Sequence, residues 1–277
     1  VPVLIREILS IIEETELPVR RVIDATLGLG GYSHKVLEKW QEACLLGIDQ
    51  DADALAQSSK RLEIYENRFF PRQGNFRNIL EIAREARFVP SDILFFDLGV
   101  SNLQLTSPER GFSYQYDGPL DMRMNPSEQD VSTAFDVFNF FNLADLTSIF
   151  AKYGEERHAY KFAKILVSTR EKKGPFKSTN EVIEALREGL SPSFMRKLGR
   201  HPGRKIFQAV RIFVNDELGA LEKALESVPE ILSPGGTLFV VSYHSLEDRI
   251  VKRTMREWKE TKIGAPLFKK PIQPTTE

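Results

Sequence analysis

Residues Val22 to Gly31 read Val-Ile-Asp-Ala-Thr-Leu-Gly-Leu-Gly-Gly, and Leu45 to Asp51 read Leu-Leu-Gly-Ile-Asp-Gln-Asp. An apolar strand that runs into a glycine-rich turn lets the backbone approach a ligand where a Cβ would collide. An acidic residue at the end of the next strand can accept the hydroxyls of a ribose. The pair reads as a nucleotide-cofactor pocket, with Gly28, Gly30 and Gly31 at the turn and Asp49 on the ribose; the plainer reading is a tight strand-to-helix turn with a solvated Asp49. A dinucleotide fingerprint counted from Gly28 needs a small, glycine-like residue at position 33, where this chain has Ser33 after an extra Gly31. The pyrophosphate grip is therefore only partly present. S-adenosylmethionine has no phosphate and asks only for close backbone approach and a ribose acceptor, so these residues suit it better than they suit NAD.

Outward from that pair, apolar runs at 21–27, 44–49, 69–73 and 92–98 alternate with helical spacing at 33–40, 53–62 and 76–87. The runs lack strict alternation, as expected of parallel strands covered on both faces. This predicts a doubly wound, Rossmann-like α/β sheet with ligands at the carboxyl ends of its strands. The pattern stops at Gly99 and resumes only at Ser233-Pro234-Gly235-Gly236-Thr237-Leu238-Phe239-Val240-Val241-Ser242. Between them, 132–141, 143–153, 155–173 and 178–189 read as helices, with Gly154 and Gly174 as stops and Ser178 with Glu181 spaced as a capping box. Residues 205–231 read as a helix face returning to the sheet. The expected organisation is a discontinuous cofactor domain, 1–104 with 200–277, carrying an all-helical insertion at 105–199 for substrate recognition. The tail at 263–277 has no clear periodicity.

At 277 residues and 42% hydrophobic content the chain can bury a substantial core. Cys44 is the only cysteine and no stretch reads as a signal peptide or a membrane span, so a cytoplasmic enzyme is the expectation. The net charge of −1 conceals an asymmetry: between Lys152 and Arg211 there are 15 Lys and Arg against 6 Glu and no Asp. That excess suits a polyanionic partner, the alternative being a solvated, salt-bridged helix surface. Oligomeric state is left open.

Asp97-Leu98-Gly99-Val100-Ser101 follows the fourth apolar run, so Asp97 leaves the strand end beside the cofactor pocket. An exocyclic amine delocalises its lone pair into the base, and an acceptor on its N–H localises that pair for in-line attack on a methyl group. Asp97 has three readings here: that acceptor, a holder of the cofactor's methionine end, or a cap on the next turn. The stretch from Ser107 to Met124, with Arg110 and Arg123, is dense in Gly, Pro and paired charges and reads as an ordered functional loop. His201 to Arg211 gathers Arg204, Lys205 and Arg211 beside a Pro-Gly turn, where they could clamp phosphates or simply start a charged helix. His244 follows the last strand and faces either substrate or the interior. The four histidines and the cysteine have no metal-ligand spacing.

With these blocks assembled, the chain resembles the RsmH (MraW) family of ribosomal RNA small-subunit (cytosine-N4)-methyltransferases over nearly its whole length. The resemblance rests on Asp-Ala-Thr-Leu-Gly-Leu-Gly-Gly, Gly-Ile-Asp-Gln-Asp, Asp-Leu-Gly-Val-Ser, Glu-Arg-Gly-Phe-Ser, Gly-Pro-Leu-Asp-Met-Arg-Met, Tyr-Gly-Glu-Glu-Arg, Phe-Gln-Ala-Val-Arg-Ile, Val-Asn-Asp-Glu-Leu and His-Ser-Leu-Glu-Asp-Arg, in the family's order. It implies the class I S-adenosylmethionine-dependent methyltransferase form of the fold, and methyl transfer from that cofactor to the exocyclic nitrogen of a cytidine in the decoding region of 16S ribosomal RNA, on assembled small subunits. It also implies cofactor contacts at Gly30, Gly31, Tyr32, Asp49, Phe76, Asp97 and Gln104. Tyr32 stands where the family usually has His, Asn102 and Leu103 replace a more usual Ser-Pro, and the tail lacks the family's closing strand.

DNA amino-methyltransferases follow the strand-four acceptor with Pro-Pro-aromatic, and here Leu98-Gly99-Val100 supplies neither ring nor proline. An aromatic to stack on the base must come from elsewhere, with Phe112, Tyr114 and Tyr243 as candidates. A DNA methyltransferase, a non-catalytic RNA-binding protein and an NAD-dependent oxidoreductase are the competing readings. The missing Pro-Pro-aromatic, the intact Asp49 and Asp97, and Ser33 count against them in turn.

Overall fold

The computed structural model describes residues 2–15 and 18–274. The chain divides into two compact units: Val1–Gly99 with Leu218–Glu277, and Val100–Glu217. In the first, α1 (Ile5–Glu14) precedes β1 (Arg21–Asp24), α2 (Gly31–Lys39), β2 (Cys44–Asp49), α3 (Ala52–Arg61), β3 (Phe69–Gln73), α4 (Ile79–Glu85) and β4 (Ser91–Asp97). The second unit is built on α5 (Asn102–Thr106), α6 (Ala134–Phe140), α7 (Leu143–Gly154), α8 (Ala159–Lys173), α9 (Thr179–Gly189), α10 (Pro192–Leu198) and α11 (Gly203–Asn215). The chain then returns through α12 (Glu217–Ile231), β5 (Leu232–Val241) and α13 (Ser245–Glu260).

The five strands are all parallel, in the order β3-β2-β1-β4-β5. Winding runs outward from β1 to β3, then reverses across β1 to β4 and β5. The reversal opens a crevice at the carboxyl ends of β1 and β4, where such sheets bind ligands. Successive side chains serve opposite faces. Val22, Leu45, Ile93 and Phe95 pack with α1 and α2 through Ile8, Ile12, Val36 and Leu37. Ile23, Leu46, Leu94 and Phe96 pack with α4, α12 and α13 through Ile79, Leu221, Leu225 and Ile250. Both faces of the central strands β1, β2 and β4 are covered, which is why those strands read as continuous apolar runs.

The helical unit has its own core, around Phe138, Phe150, Phe162, Leu186 and Phe207. Here two expectations are corrected. Residues 205–231 are two helices, broken where Asp216 takes a left-handed backbone at φ 44°. α11 buries Ile206, Phe207 and Val210 in the helical core, and Asn215 accepts the Met124 N–H at 2.7 Å and donates to the Met122 carbonyl at 2.8 Å. Only α12 joins the sheet's core. The division therefore falls at Gly99/Val100 and Glu217/Leu218 instead of 104/105 and 199/200.

Capping differs in detail from the sequence expectation. Ser178 sits at the N-cap of α9 without a side-chain capping bond, and the Asp117 carboxylate accepts the Asn180 N–H at 3.1 Å in its place. Glu181 accepts the Lys177 N–H at 2.7 Å. Gly154 is the last residue of α7, and a Cβ there would stand 2.7 Å from the Lys205 carbonyl oxygen, so close packing on α11 explains it better than a turn does. Among the described residues no helix is long and apolar enough to cross a membrane.

Candidate functional site

The turn after β1 is made by glycines in left-handed backbone, Gly28 at φ 50° and Gly30 at φ 70°. Gly30 is the N-cap of α2, and a Cβ there would lie 2.9 Å from Leu62 Cδ1. The Gly28 N–H donates to Asp49 Oδ2 at 2.7 Å, and the Asp51 N–H donates to Asp49 Oδ1 at 2.9 Å. The glycine turn and the end of β2 are thus tied through one carboxylate. Burial pushes Asp49 up to about 6, against the pull of the Asp51 and Gly28 N–H groups.

Asp24, the last residue of β1, was not singled out by sequence reasoning. It is 1% exposed, accepting the Ser33 hydroxyl at 2.7 Å and the Thr26 N–H at 3.3 Å. Burial pushes it up to about 7; the two hydrogen bonds oppose that and the neighbouring charges of Asp97 and Asp49 reinforce it. The signal was present: a carboxylate inside an otherwise apolar strand, nine residues before the Ser33 that the dinucleotide pattern could not place.

Asp97 closes β4. Its N–H donates to the Thr26 hydroxyl at 2.6 Å, and its Oδ1 accepts the Tyr243 hydroxyl at 2.7 Å. Burial raises its pKa and so does the Glu247 charge, while the Tyr243 hydrogen bond lowers it. The cap reading of Asp97 is not what is seen, because Ser101 caps α5 with its hydroxyl on the Gln104 N–H. Asp24, Asp49 and Asp97 end three adjacent strands, which is where the switch in strand order places a ligand.

Tyr32 begins α2, 5% exposed, with its ring stacked 6.0 Å from Phe95 and its hydroxyl donated to the Val3 carbonyl. A Cβ on Gly31 would stand 2.7 Å from Pro2 Cγ. Pro2 and Val3 therefore lie against the glycine turn, a contact that pattern reading could not foresee because α1 separates them from it in sequence. Phe76 follows β3, edge-on to Phe96 at 5.6 Å. The adjacent Asn75 donates to the Gln50 side chain at 2.8 Å, joining the ends of β3 and β2.

His244 is the N-cap of α13, its Nδ1 accepting the Glu247 N–H at 3.4 Å and its Nε2 3.1 Å from Glu247 Oε1. Both ring nitrogens lie close to one buried glutamate, but the Nε2 contact lacks hydrogen-bond alignment and that buried nitrogen has no hydrogen-bond partner among the described residues. Gln104 lies in the helical unit, 4% exposed, its Oε1 accepting the Ser101 N–H at 3.1 Å.

The cations selected from sequence also lie in the helical unit, and most have internal partners. Arg110, 8% exposed, donates to the carbonyls of Arg123 at 3.2 Å and Met124 at 3.0 Å. Arg123 grips Asp121 with two hydrogen bonds of 2.8 Å. Lys205 donates to the Glu155 carbonyl at 2.7 Å, and Arg211 forks onto Glu217 at 2.7 and 2.9 Å. Of these five residues only Arg204 is exposed. A different group stands out in the fold: Lys161 on α8 is exposed against Phe194, Arg196 and Lys197 are exposed on α10, the helix that carries Phe194, and Arg157 is exposed just before α8. Lys161 Nζ lies 3.9 Å from the Phe194 ring centroid and the His158 ring 5.0 Å from it, so α8 and α10 present cations and aromatics together.

A doubly wound parallel sheet with a glycine turn after β1 and carboxylates at the ends of β2 and β4 has the layout of a nucleoside-cofactor enzyme. The chain belongs to the MraW methylase family, whose model matches residues 1–277. It is 45% identical to the ribosomal RNA small subunit methyltransferase H of Carboxydothermus hydrogenoformans over 257 residues, covering 92% of this chain and 80% of the relative. It is 40% identical to the protein of the same name from Halothermothrix orenii over 268 residues, covering 96% of this chain and 84% of that one.

Proposed function

We propose that this chain transfers a methyl group from S-adenosylmethionine to the exocyclic N4 of a cytidine in the decoding region of 16S ribosomal RNA, on the assembled small subunit and hence in the cytoplasm. The observation that carries the reading is the set of strand-end carboxylates in a member of this family. Asp24, Asp49 and Asp97 are all pushed up in pKa by burial, so the crevice favours a cationic ligand over another anion. When bound, the cofactor supplies an electrophilic methyl group on a positively charged sulfur. A carboxylate offers about four acceptor sites, so Asp49 retains capacity for a ribose hydroxyl beside the N–H groups of Gly28, Asp51 and Gln50. The Gly28, Gly30 and Gly31 backbone gives close approach, and Phe76 offers an apolar ring near the end of β3.

Asp97 accepts an N–H of the cytidine amine, which concentrates the nitrogen lone pair for in-line attack and gives the departing proton an acceptor. Gln104, Arg110, Arg123, Arg204, Lys205, Arg211 and His244 remain candidate cofactor or RNA contacts under this reading, with Gln104, Arg110, Arg123, Lys205, Arg211 and His244 also holding local structure. The helical unit is proposed to recognise RNA, with the exposed cations of α8 and α10 as its phosphate-binding face. Methyl transfer from labelled cofactor to small subunits, with free ribosomal RNA and duplex DNA in parallel and the methylated nucleoside mapped by mass spectrometry, tests the proposal. Label in an N4-methylcytidine from subunits is expected; label in DNA alone would overturn it.

A further inference from the structure

Three aromatic residues are candidates for holding the acceptor base, and the structure separates them. Phe112 is 5% exposed and belongs to the helical core. Tyr114 stacks on His201 with 4.7 Å between centroids and meets Phe207 edge-on. Tyr243 is 55% exposed, and its hydroxyl donates to Asp97 Oδ1 at 2.7 Å. Its backbone N–H donates at 2.8 Å to Glu247, which is 2% exposed and closes the capping box of α13. The main chain is anchored while the ring stands outside the core. One side of that ring lies over Gly99, where a Cβ would come within 3.4 Å of Tyr243 Cδ2 and where φ is 96°.

We infer that Tyr243 completes the methyl-acceptor site, its hydroxyl positioning the Asp97 carboxylate and its open ring face serving as the platform for the base. The inference rests on the function proposed above. A carboxylate held by a hydroxyl on Oδ1 has a fixed plane, and Oδ2 then presents its lone pairs in one direction to an amine. A planar base laid on the ring would bring its exocyclic nitrogen beside that oxygen, which is the role the absent Pro-Pro-aromatic plays elsewhere. The donated hydroxyl also opposes the upward pull that burial and the Glu247 charge exert on the Asp97 pKa. Asp97 faces Asp24 on β1, Tyr32 on α2, and Tyr243 with Glu247 at the start of α13, a setting that favours protonation except for the donated hydrogen bond. Burial raises the Tyr243 phenol above its ordinary value, so it stays a donor through the neutral range.

Two variants of the full chain separate the hydroxyl from the ring: Tyr243→Phe removes the first, Tyr243→Leu removes both. Carbon-13 NMR of the aspartate carboxyls against pH, with Asp97 assigned through Asp97→Asn, reads the pairing without any acceptor. In Tyr243→Phe the Asp97 titration should move up by about one pH unit. In single-turnover transfer to small subunits, Tyr243→Phe should slow the step roughly tenfold and shift the acid limb of its pH profile upward. Tyr243→Leu should in addition raise the acceptor concentration for half-saturation roughly tenfold. Cofactor affinity should stay within about twofold of the parent for both, since neither change touches Asp49 or the glycine turn. An Asp97 titration unmoved in Tyr243→Phe, or a Leu variant that saturates as the parent does, overturns the inference. If the parent transfers nothing to subunits, the proposed function falls and the base platform with it, while the carboxyl titration still decides whether Tyr243 positions Asp97.

Discussion

The two units handle charge in opposite ways. In the sheet unit, Asp24, Asp49 and Asp97 end adjacent strands, held by N–H and O–H donors, and burial raises all three. In the helical unit, Arg110, Arg123, Lys205 and Arg211 are held by carbonyls and carboxylates of the same unit, while exposed cations such as Lys161, Arg196 and Lys197 stand on α8 and α10. A strand end points where the topology dictates, so a carboxylate there declares its position from sequence. An arginine on a helix or loop reaches several ångströms in any direction, and its partner is chosen by the tertiary fold.

The sharpest break of this comparison is Asp97→Ala. It should lower the single-turnover rate about 100-fold or more while cofactor affinity stays nearly intact. Loss of affinity in proportion to rate would make Asp97 a cofactor ligand instead. Asp49→Ala should do the reverse: removing a charged acceptor from ribose hydroxyls costs about 2 kcal/mol, or ~30-fold in S-adenosylmethionine affinity. Calorimetry on the folded variant checks it, and unchanged affinity would remove Asp49 from the ribose.

On the helical side, Arg211→Ala should reveal an internal role. It strands Glu217, whose side chain is 10% exposed, and should cost about 2 kcal/mol of stability in urea unfolding. Stability unchanged alongside weakened RNA binding would restore Arg211 to the substrate face.

The centre of the sheet was legible because both faces of it are buried, so strand 44–49 read as an apolar run with the bounds the structure shows; strand 69–73 also has the expected bounds, although only Phe69 of it is buried. The strand-end positions of Asp49 and Asp97 followed from chain order alone, while Asp24 at the end of β1 was passed over. Helices 143–153 and 178–189 were legible from their periodicity. What sequence could not resolve was partner choice. Asp216 breaks 205–231 by a left-handed backbone in a residue with no strong preference for one, and the apolar faces of α11 and α12 look alike until their cores are known. Tyr243 was one of three equal candidates because nothing in the sequence says that its hydroxyl meets Asp97 across 146 residues.

The exposed cations of α8 and α10 give a smaller, graded test. Replacing Lys161, Arg196 and Lys197 together by Ala should flatten the plot of log RNA affinity against log salt by up to about one unit per lost phosphate contact. Arg204→Ala alone should change the slope by at most about one unit. A triple variant with the parent's slope would show this patch to be a solvated face, and return the RNA grip to the loop from Ser107 to Met124.

The smallest effect, and the one most specific to the sheet's buried carboxylates, is expected at Asp24. Its folded pKa of about 7 lies above the ordinary aspartate value of 3.8, so the folded state holds a proton that the unfolded chain releases earlier. Below about pH 4 both states are protonated and burial carries no penalty. Stability should then fall as pH rises through 7, and level off above it, where Asp24 is ionised in both states. Asp24→Asn removes this dependence. The Ser33 hydroxyl can turn to accept from the new amide, and the Thr26 N–H can still be met by the amide oxygen, so the fold should tolerate the change. Charged hydrogen bonds lost to the carboxylate offset much of the gain, leaving the variant about 1 kcal/mol more stable than the parent at pH 8, with the advantage shrinking toward pH 5. Urea unfolding at both pH values measures it. An Asn variant equally destabilised at pH 5 and pH 8 would mean that the carboxylate is held without penalty, and that its neighbours, not its charge, are what the crevice requires of residue 24.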